Sequence, residues 1–255
     1  LGCAATLGSP WSLNATVWGV ACGLMWTGGQ VFVLWAFRAW GVSRTMPLTT
    51  ALQLLLNATL GVSLFGEWRA PGALILGMVA LALIMLGAAA CSWQERTGPG
   101  PTPAQRRAGL LATAASAVLY GSYPSLLRAV EVPPAHAVGP MGLGLLAGAG
   151  LCALILPRRA PLRGPRIVPA ALAGGLWAVG NALMLRSTAA VGVASGFTLS
   201  QLGFVLATIG GLTILGEERT GRERTAVAAG VAAAVVGLVL MGLATGMDTG
   251  ASPSQ

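Results

Sequence analysis

The stretch GLMWTGGQ at residues 23–30 returns later in the chain as GGLWAVGN at residues 174–181. The stretch that follows it, GVSRTMPLTT at 41–50, likewise has a counterpart in GVASGFTLSQ at 192–201. Several Gly and Trp positions recur at one constant spacing, and a match of this length is not expected by chance. The sequence therefore predicts an internal repeat, and this repeat decides the fold.

The composition places both copies of the repeat in a lipid bilayer. Of the 255 residues, 55% are hydrophobic and only 9% are charged, and the mean hydropathy is +0.76. A soluble domain carries about 25% charged residues, so this chain could not cover a surface that faces water. Helices of about 20 apolar residues span the hydrocarbon, and segments of that length exclude membrane-barrel strands. We therefore predict an all-α integral membrane helix bundle with eight spans, at approximately 16–37, 46–66, 70–92, 108–128, 134–156, 168–188, 193–215 and 223–245.

The two copies of the repeat cross the predicted membrane in opposite directions. The first copy begins in span one and the second in span six, and five spans apart is an odd number. Inverted repeats are the architecture of many secondary transporters, whose substrate site lies between the halves near the midplane. The predicted organisation is an N-terminal repeat at 1–92, a cytoplasmic linker at 93–107, a C-terminal repeat at 108–245 and a polar tail at 246–255.

Arginine placement predicts the orientation of the chain. The 15 basic residues are all arginine, and most follow spans one, three, five and seven: Arg38, Arg44, Arg96, Arg106, Arg107, Arg158, Arg159, Arg163, Arg166, Arg219, Arg222 and Arg224. The opposite side holds Arg69, Arg128 and Arg186. By the positive-inside rule the arginine-rich side faces the cytoplasm. We predict a multi-pass protein of the bacterial plasma membrane, with the C-terminus outside.

Neutral polar and aromatic side chains share helix faces within the spans. Trp26 and Gln30 are four residues apart on one face, and Trp177 and Asn181 repeat that pair in span six. The predicted substrate-binding residues are Trp26, Gln30, Thr49, Gln53, Asn57, Tyr120, Tyr123, Trp177, Asn181, Thr198 and Gln201. Amides and hydroxyls suit the hydroxyls of a sugar, and flat rings suit its C–H face. The alternative interpretation is that each amide bridges two helices, worth about 0.6 kcal/mol, and contacts no substrate.

Charged groups are missing from the interior of the predicted spans and occur only near their ends. An anionic substrate would need a buried basic residue and a cationic drug a buried carboxylate, and neither occurs there. Glu67 and Glu217 lie in equivalent turns on opposite sides, where we expect each to cap the following helix, with gating as the alternative. Proton coupling has no intramembrane carboxylate to use and stays open. We expect no cofactor, no metal, no nucleic-acid partner and no enzymatic motif, and we interpret Cys3, Cys22, Cys91 and Cys152 as small apolar residues.

Several stretches also carry a family resemblance: GVSRTMPLTTALQL at 41–54, GEW at 66–68, SAVLYGSY at 116–123, GLWAVGN at 175–181 and GFTLSQLGFVLATIGGLTILGEERT at 196–220. At these positions the chain resembles the bacterial glucose uptake proteins, of the glucose/ribose porter family in the drug/metabolite transporter superfamily. The resemblance implies a ten-helix fold of two inverted five-helix halves, with sugar uptake as the activity. By that alignment the first helix and most of the second would precede Leu1, so the sequence looks truncated at its N-terminus.

The predicted function is therefore a permease for a neutral sugar, glucose above all, that works by alternating access. Its predicted partners are the sugar and the lipid bilayer. One alternative keeps the fold and makes the protein an exporter of a drug or another small metabolite. A second alternative is a membrane subunit or sensor that transports nothing, although inverted halves argue against it.

Overall fold

The computed structural model describes residues 12–91, 93, 95, 101–155, 167–201 and 220–250. This part of the chain is helical throughout, as predicted. We number its helices α1 (Leu13–Trp40), α2 (Val42–Phe65), α3 (Ala73–Cys91), α4 (Pro103–Ala129), α5 (Pro134–Ile155), α6 (Ile167–Val191), α7 (Val193–Ser200) and α8 (Gly221–Gly250).

Seven of the described helices, all except α7, are long and apolar enough to cross a membrane. Their outer surfaces expose large apolar side chains, among them Ile75, Leu146 and Leu176, each at least 70% exposed. Exposing so many apolar side chains to water is unfavourable, whereas exposing them to lipid is not. The chain is therefore a multi-pass membrane protein. The predicted seventh span, 193–215, is described only as far as residue 201, and the arginine-rich stretch at 157–166 lies outside the described residues.

Two predicted boundaries differ from the structure. Helix α4 begins at Pro103, inside the predicted linker at 93–107, because the Thr102 hydroxyl and the Gln105 side chain form a reciprocal capping box and proline fits the first helical position. Helix α8 continues to Gly250, so the predicted tail at 246–255 begins within a helix. In both cases the helix extends beyond its apolar run, because backbone hydrogen bonds do not depend on side-chain hydropathy.

Small residues bring the helices into backbone contact. Helix α1 packs on α5 at Gly23, where an added Cβ would lie 2.8 Å from Gly144 Cα. Helix α3 packs on α8 at Gly87, where an added Cβ would lie 2.6 Å from the Gly230 carbonyl oxygen. In lipid, close van der Waals packing replaces the hydrophobic effect as the force that holds helices together. Gly23, Gly87, Gly144 and Gly230 therefore allow the close contacts between these helices.

The repeat is visible in the backbone at the two junctions that interrupt its helices. Gly41 separates α1 from α2 with φ 94° and ψ 159°, and Gly192 separates α6 from α7 with φ 92° and ψ 164°. Only glycine adopts such angles without strain. The two halves therefore use the same break at equivalent positions, which brings α2 and α7 together in the middle of the molecule.

Candidate functional site

A cavity of about 560 Å³ lies between the two halves, bounded by α1 and α2 from one half and by α4, α6 and α7 from the other. Of the predicted substrate-binding residues, it brings together Trp26, Gln30, Thr49, Gln53, Tyr120, Tyr123, Trp177, Asn181 and Gln201. None of the residues that the structure describes around this cavity is charged. In transporters built from inverted repeats the substrate site lies between the halves.

The aromatic wall of the cavity consists of the repeated tryptophans and one tyrosine. The rings of Trp26 and Trp177 have centroids 4.3 Å apart at an angle of 50°, and Tyr120 lies 5.5 Å from Trp26. Each half of the repeat thus supplies one ring of a tilted pair. Such a pair offers a flat apolar surface beside polar groups, which is the mixture that a ligand pocket uses to orient its ligand.

The two repeated amides are each bound to a tyrosine of α4. Tyr120 donates its hydroxyl hydrogen to Gln30 Oε1, and Tyr123 donates to Asn181 Oδ1 at 2.5 Å. Asn181 Nδ2 also lies 3.4 Å from the Met141 sulfur. Helix α4 therefore holds both amides in fixed orientations. Because an amide retains further donor and acceptor capacity after one hydrogen bond, these residues can still bind a hydroxyl.

Helix α2 presents polar groups to the cavity with fewer partners. The side chain of Thr49 is 4% exposed, and its hydroxyl has no hydrogen-bond partner among the described residues. Gln53 follows it one turn later and is 9% exposed. A buried polar group without a partner is costly, and Thr49 lines the cavity, so its hydroxyl is a candidate ligand contact.

Two predicted site residues lie away from the cavity lining. Asn57 is fully buried and donates through Nδ2 to the Gln53 carbonyl oxygen at 2.9 Å, beside Gly121. Thr198 donates to the Ala194 carbonyl oxygen at 2.5 Å and is fully buried. Neither side chain is among the residues that line the cavity, so we leave both out of the proposed site.

The cavity also includes residues that sequence analysis did not assign to it. The apolar ones are Val33, Phe37, Met46, Met184 and Phe197, and the small or polar ones are Thr50, Gly180 and Ser200. Val33 and Phe37 follow Trp26 and Gln30 at helical spacing, so the face of α1 could have been extended from sequence. Met46 and Met184 carry no such signal, because apolar side chains in a span more often face lipid or other helices.

The geometry offers binding rather than bond-making chemistry. Among the described residues no group of three His, Cys, Asp or Glu side chains could hold a metal ion. Cys22 and Cys91 are buried in helix packing, and each thiol donates to a backbone carbonyl oxygen of another helix. What the cavity can do is hold a neutral polar molecule between rings and amides contributed by two halves.

Comparisons with known proteins agree with this geometry. The family model described as sugar transport protein matches residues 3–244. The glucose uptake protein GlcU of Bacillus subtilis is 33% identical over 91% of this chain and 80% of its own length. The Listeria innocua protein lin0215, provisionally named a sugar uptake protein, is 37% identical over 88% of this chain and 77% of its own. A crystal structure superimposes with a TM-score of 0.62 over 94% of this chain and 83% of that chain, and its 24% identity shows likeness of fold alone.

Proposed function

This chain belongs to the sugar transport protein family, and from that premise we propose that it is a permease that takes up a neutral sugar, glucose above all, by alternating access. Membership of the family makes it a transport protein of the bacterial cell membrane. The proposal adds the substrate, the direction of transport and the mechanism.

The observation that carries the proposal is the composition of the central cavity. Its described lining combines two repeated tryptophans with amides and hydroxyls and has no charged side chain. A sugar presents many hydroxyl groups around a ring with apolar C–H faces, so it gains from both parts of that lining. A charged solute would lose its hydration there without finding a counter-charge.

The placement of the groups supports a specific binding mode. The paired rings of Trp26 and Trp177 would stack on the C–H face of the sugar, and Thr49 and Gln53 would bind hydroxyls from the side of α2. Gln201 lies at the edge of the same cavity. Because both halves contribute contacts, a movement of one half against the other would change which side of the membrane reaches the sugar.

Uptake of radiolabelled glucose tests this proposal directly. The full-length protein would be expressed in bacteria that lack their own glucose carriers, and uptake would be compared with cells carrying the empty vector. We expect saturable uptake that unlabelled glucose competes away. A second arm with a protonophore asks whether a proton is coupled to the sugar, which the neutral lining leaves open.

Two outcomes would contradict the proposal. Protein present in the membrane without uptake of glucose or any other neutral sugar would remove the substrate assignment. Faster loss of a preloaded solute from expressing cells, without uptake, would favour the exporter alternative. Uptake of another neutral sugar in place of glucose would keep the mechanism and change the preferred substrate.

A further inference from the structure

Glu67 connects the two halves at the end of the bundle opposite the arginine-rich side. We expected it to cap the following helix, α3, but its carboxylate accepts hydrogen bonds from the backbone amides of Val193 at 2.6 Å and Ala194 at 2.8 Å, at the N-terminus of α7. Arg128, at the end of α4, also donates to Glu67 and forms an ion pair with it. Glu67 therefore contacts both the N-terminus of α7 and the arginine at the C-terminal end of α4.

The surroundings of this carboxylate are tightly packed. Glu67 is 8% exposed, and an added Cβ on Gly61 would lie 2.9 Å from its Oε2 atom and 2.8 Å from Ala194 Cβ. The neighbouring Trp68 is buried and donates its indole hydrogen to the Ser195 hydroxyl at 3.1 Å. The turn between α2 and α3 thus packs against the first turn of α7.

A second cavity, of about 220 Å³, lies at the same end of the molecule between α4, α6 and the start of α5. Arg128, Leu127 and Leu185 are among the residues that line it. Leu127 and Leu185 are 3% and 2% exposed, and one turn deeper Tyr123 and Asn181 are joined by their hydrogen bond. A thin layer of α4 and α6 side chains therefore separates this cavity from the central one.

We propose that the second cavity is the outer entrance of the transport path, and that Glu67 is the positioning residue that keeps the layer beneath this entrance closed by holding the α7 N-terminus and Arg128 together. The inference rests on the proposed function, since it assigns a state of the alternating-access cycle. In the closed state α2, α4 and α7 meet at one carboxylate. Breaking those contacts lets α4 and α6 separate at their outer ends. The layer of α4 and α6 side chains between the two cavities then opens.

Replacing Glu67 with glutamine keeps the size of the side chain and removes its charge. A glutamine has one acceptor oxygen where the carboxylate has two, and it loses both the ion pair with Arg128 and the attraction to the positive end of α7. Charge-assisted hydrogen bonds are the stronger kind, so the closed state loses more than the open one. E67Q should shift the population toward the outward-open state. Glu131→Gln is the matched control, because Glu131 is an exposed carboxylate that lines the same outer cavity but forms no ion pair among the described residues.

Thiol labelling of intact cells measures this shift without a sugar. A cysteine at position 184, from Met184→Cys, lies in the central cavity, and one at position 189, from Ala189→Cys, lies in the outer cavity. Each is combined with wild-type Glu67, E67Q or E131Q and treated with a membrane-impermeant thiol reagent. The chain without an added cysteine gives the background rate. We expect E67Q to speed labelling at position 184 about tenfold, while position 189 is labelled equally in every background.

The outcomes separate the gate from the substrate assignment. Faster labelling at position 184 in E67Q, but not in E131Q, supports the proposal even if the protein carries no glucose. Unchanged labelling at position 184, with position 189 still reactive, overturns it. Equal acceleration at position 184 by E131Q would also overturn it, because the effect would then be general to charge at that end. Loss of labelling at position 189 would mean that E67Q disrupts this end of the fold. The test would then use E67D, which keeps the charge on a shorter side chain, and the proposal requires position 184 to be labelled at an intermediate rate in that variant.

Discussion

Thr49 differs from five other threonines of the bundle in what its hydroxyl does. Thr27, Thr45, Thr59, Thr113 and Thr198 all donate to a carbonyl oxygen four residues earlier, which is the usual way for a threonine to satisfy itself inside a helix. The Thr49 hydroxyl oxygen is buried and lacks a partner among the described residues, and the residue lines the central cavity. We therefore infer that the Thr49 hydroxyl forms a hydrogen bond with the sugar when the sugar is bound.

Thr49→Val should therefore weaken sugar binding without weakening the protein. Valine keeps the shape and removes a hydroxyl that has no partner, so the thermal midpoint of the purified protein should stay the same or rise. A hydrogen bond to the sugar is worth about 1 kcal/mol, so KM for uptake should rise about fivefold.

Thr198→Val is the matched control for this prediction. Its hydroxyl is bound to its own helix and lies away from the cavity lining, so KM should not change. An equal rise of KM in both variants would show that the Thr49 hydroxyl does not bind the sugar.

At the same scale, the sequence predicts residue types better than residue partners. The repeat identified Trp26 and Trp177 as equivalent mid-span rings, and the structure brings them to one cavity. Nothing in the sequence pairs Tyr123 with Asn181, because two helices that are distant in the chain must first pack. Asn57 matches the polar pattern as well as Gln53 does, yet the two differ by one turn of α2, and the pattern cannot state how deep the cavity reaches.

At the scale of the helices, hydropathy fixes where an element lies and local hydrogen bonds fix where it ends. The described spans fall within a few residues of their predicted positions because about 20 apolar residues must cross the hydrocarbon. Helix α4 starts earlier than its apolar stretch because Thr102 and Gln105 cap it. The sequence could not predict that Glu67 contacts α7 rather than α3, because the helix that packs on this turn is not the one that follows it in the chain.

The contact between α1 and α5 gives a prediction at this scale. At Gly23 an added Cβ would meet α5 backbone, with Leu145 N at 2.8 Å, and backbone cannot move aside as a flexible side chain can. Gly23→Ala should therefore separate the helices and cost about 1–3 kcal/mol of stability, as overpacking does. The measurement is the thermal midpoint of the purified protein in detergent.

Gly174→Ala serves as the control for the helix contact. Gly174 lies in α6 with open space where its Cβ would point, and alanine favours a helix by about 1 kcal/mol over glycine. Its midpoint should stay level or rise. If both variants lower the midpoint equally, loss of glycine itself, and not the contact with α5, sets the cost.

At the scale of the whole molecule, the central cavity is the feature that reflects the repeat. Helices α2 and α7, which follow the breaks at Gly41 and Gly192, contact each other, and the two halves contribute one tryptophan and two amides each to the central cavity. The second cavity and Glu67 lie at the end that arginine placement predicts to be external. The direction of the whole transport path therefore depends on the orientation of the bundle.

That orientation is the last prediction. Most arginines lie on one side, and positive charge resists transfer across the membrane during insertion, so this side should stay in the cytoplasm. A reporter that works only in the cytoplasm should be inactive when fused after Gln255, while one that works only outside should be active there. The same pair inserted after Gly98, in the stretch before α4, should give the reverse result. A cytoplasmic reporter active after Gln255 would invert the bundle, and Glu67 would then close the inner entrance and the central cavity would lie toward the outside.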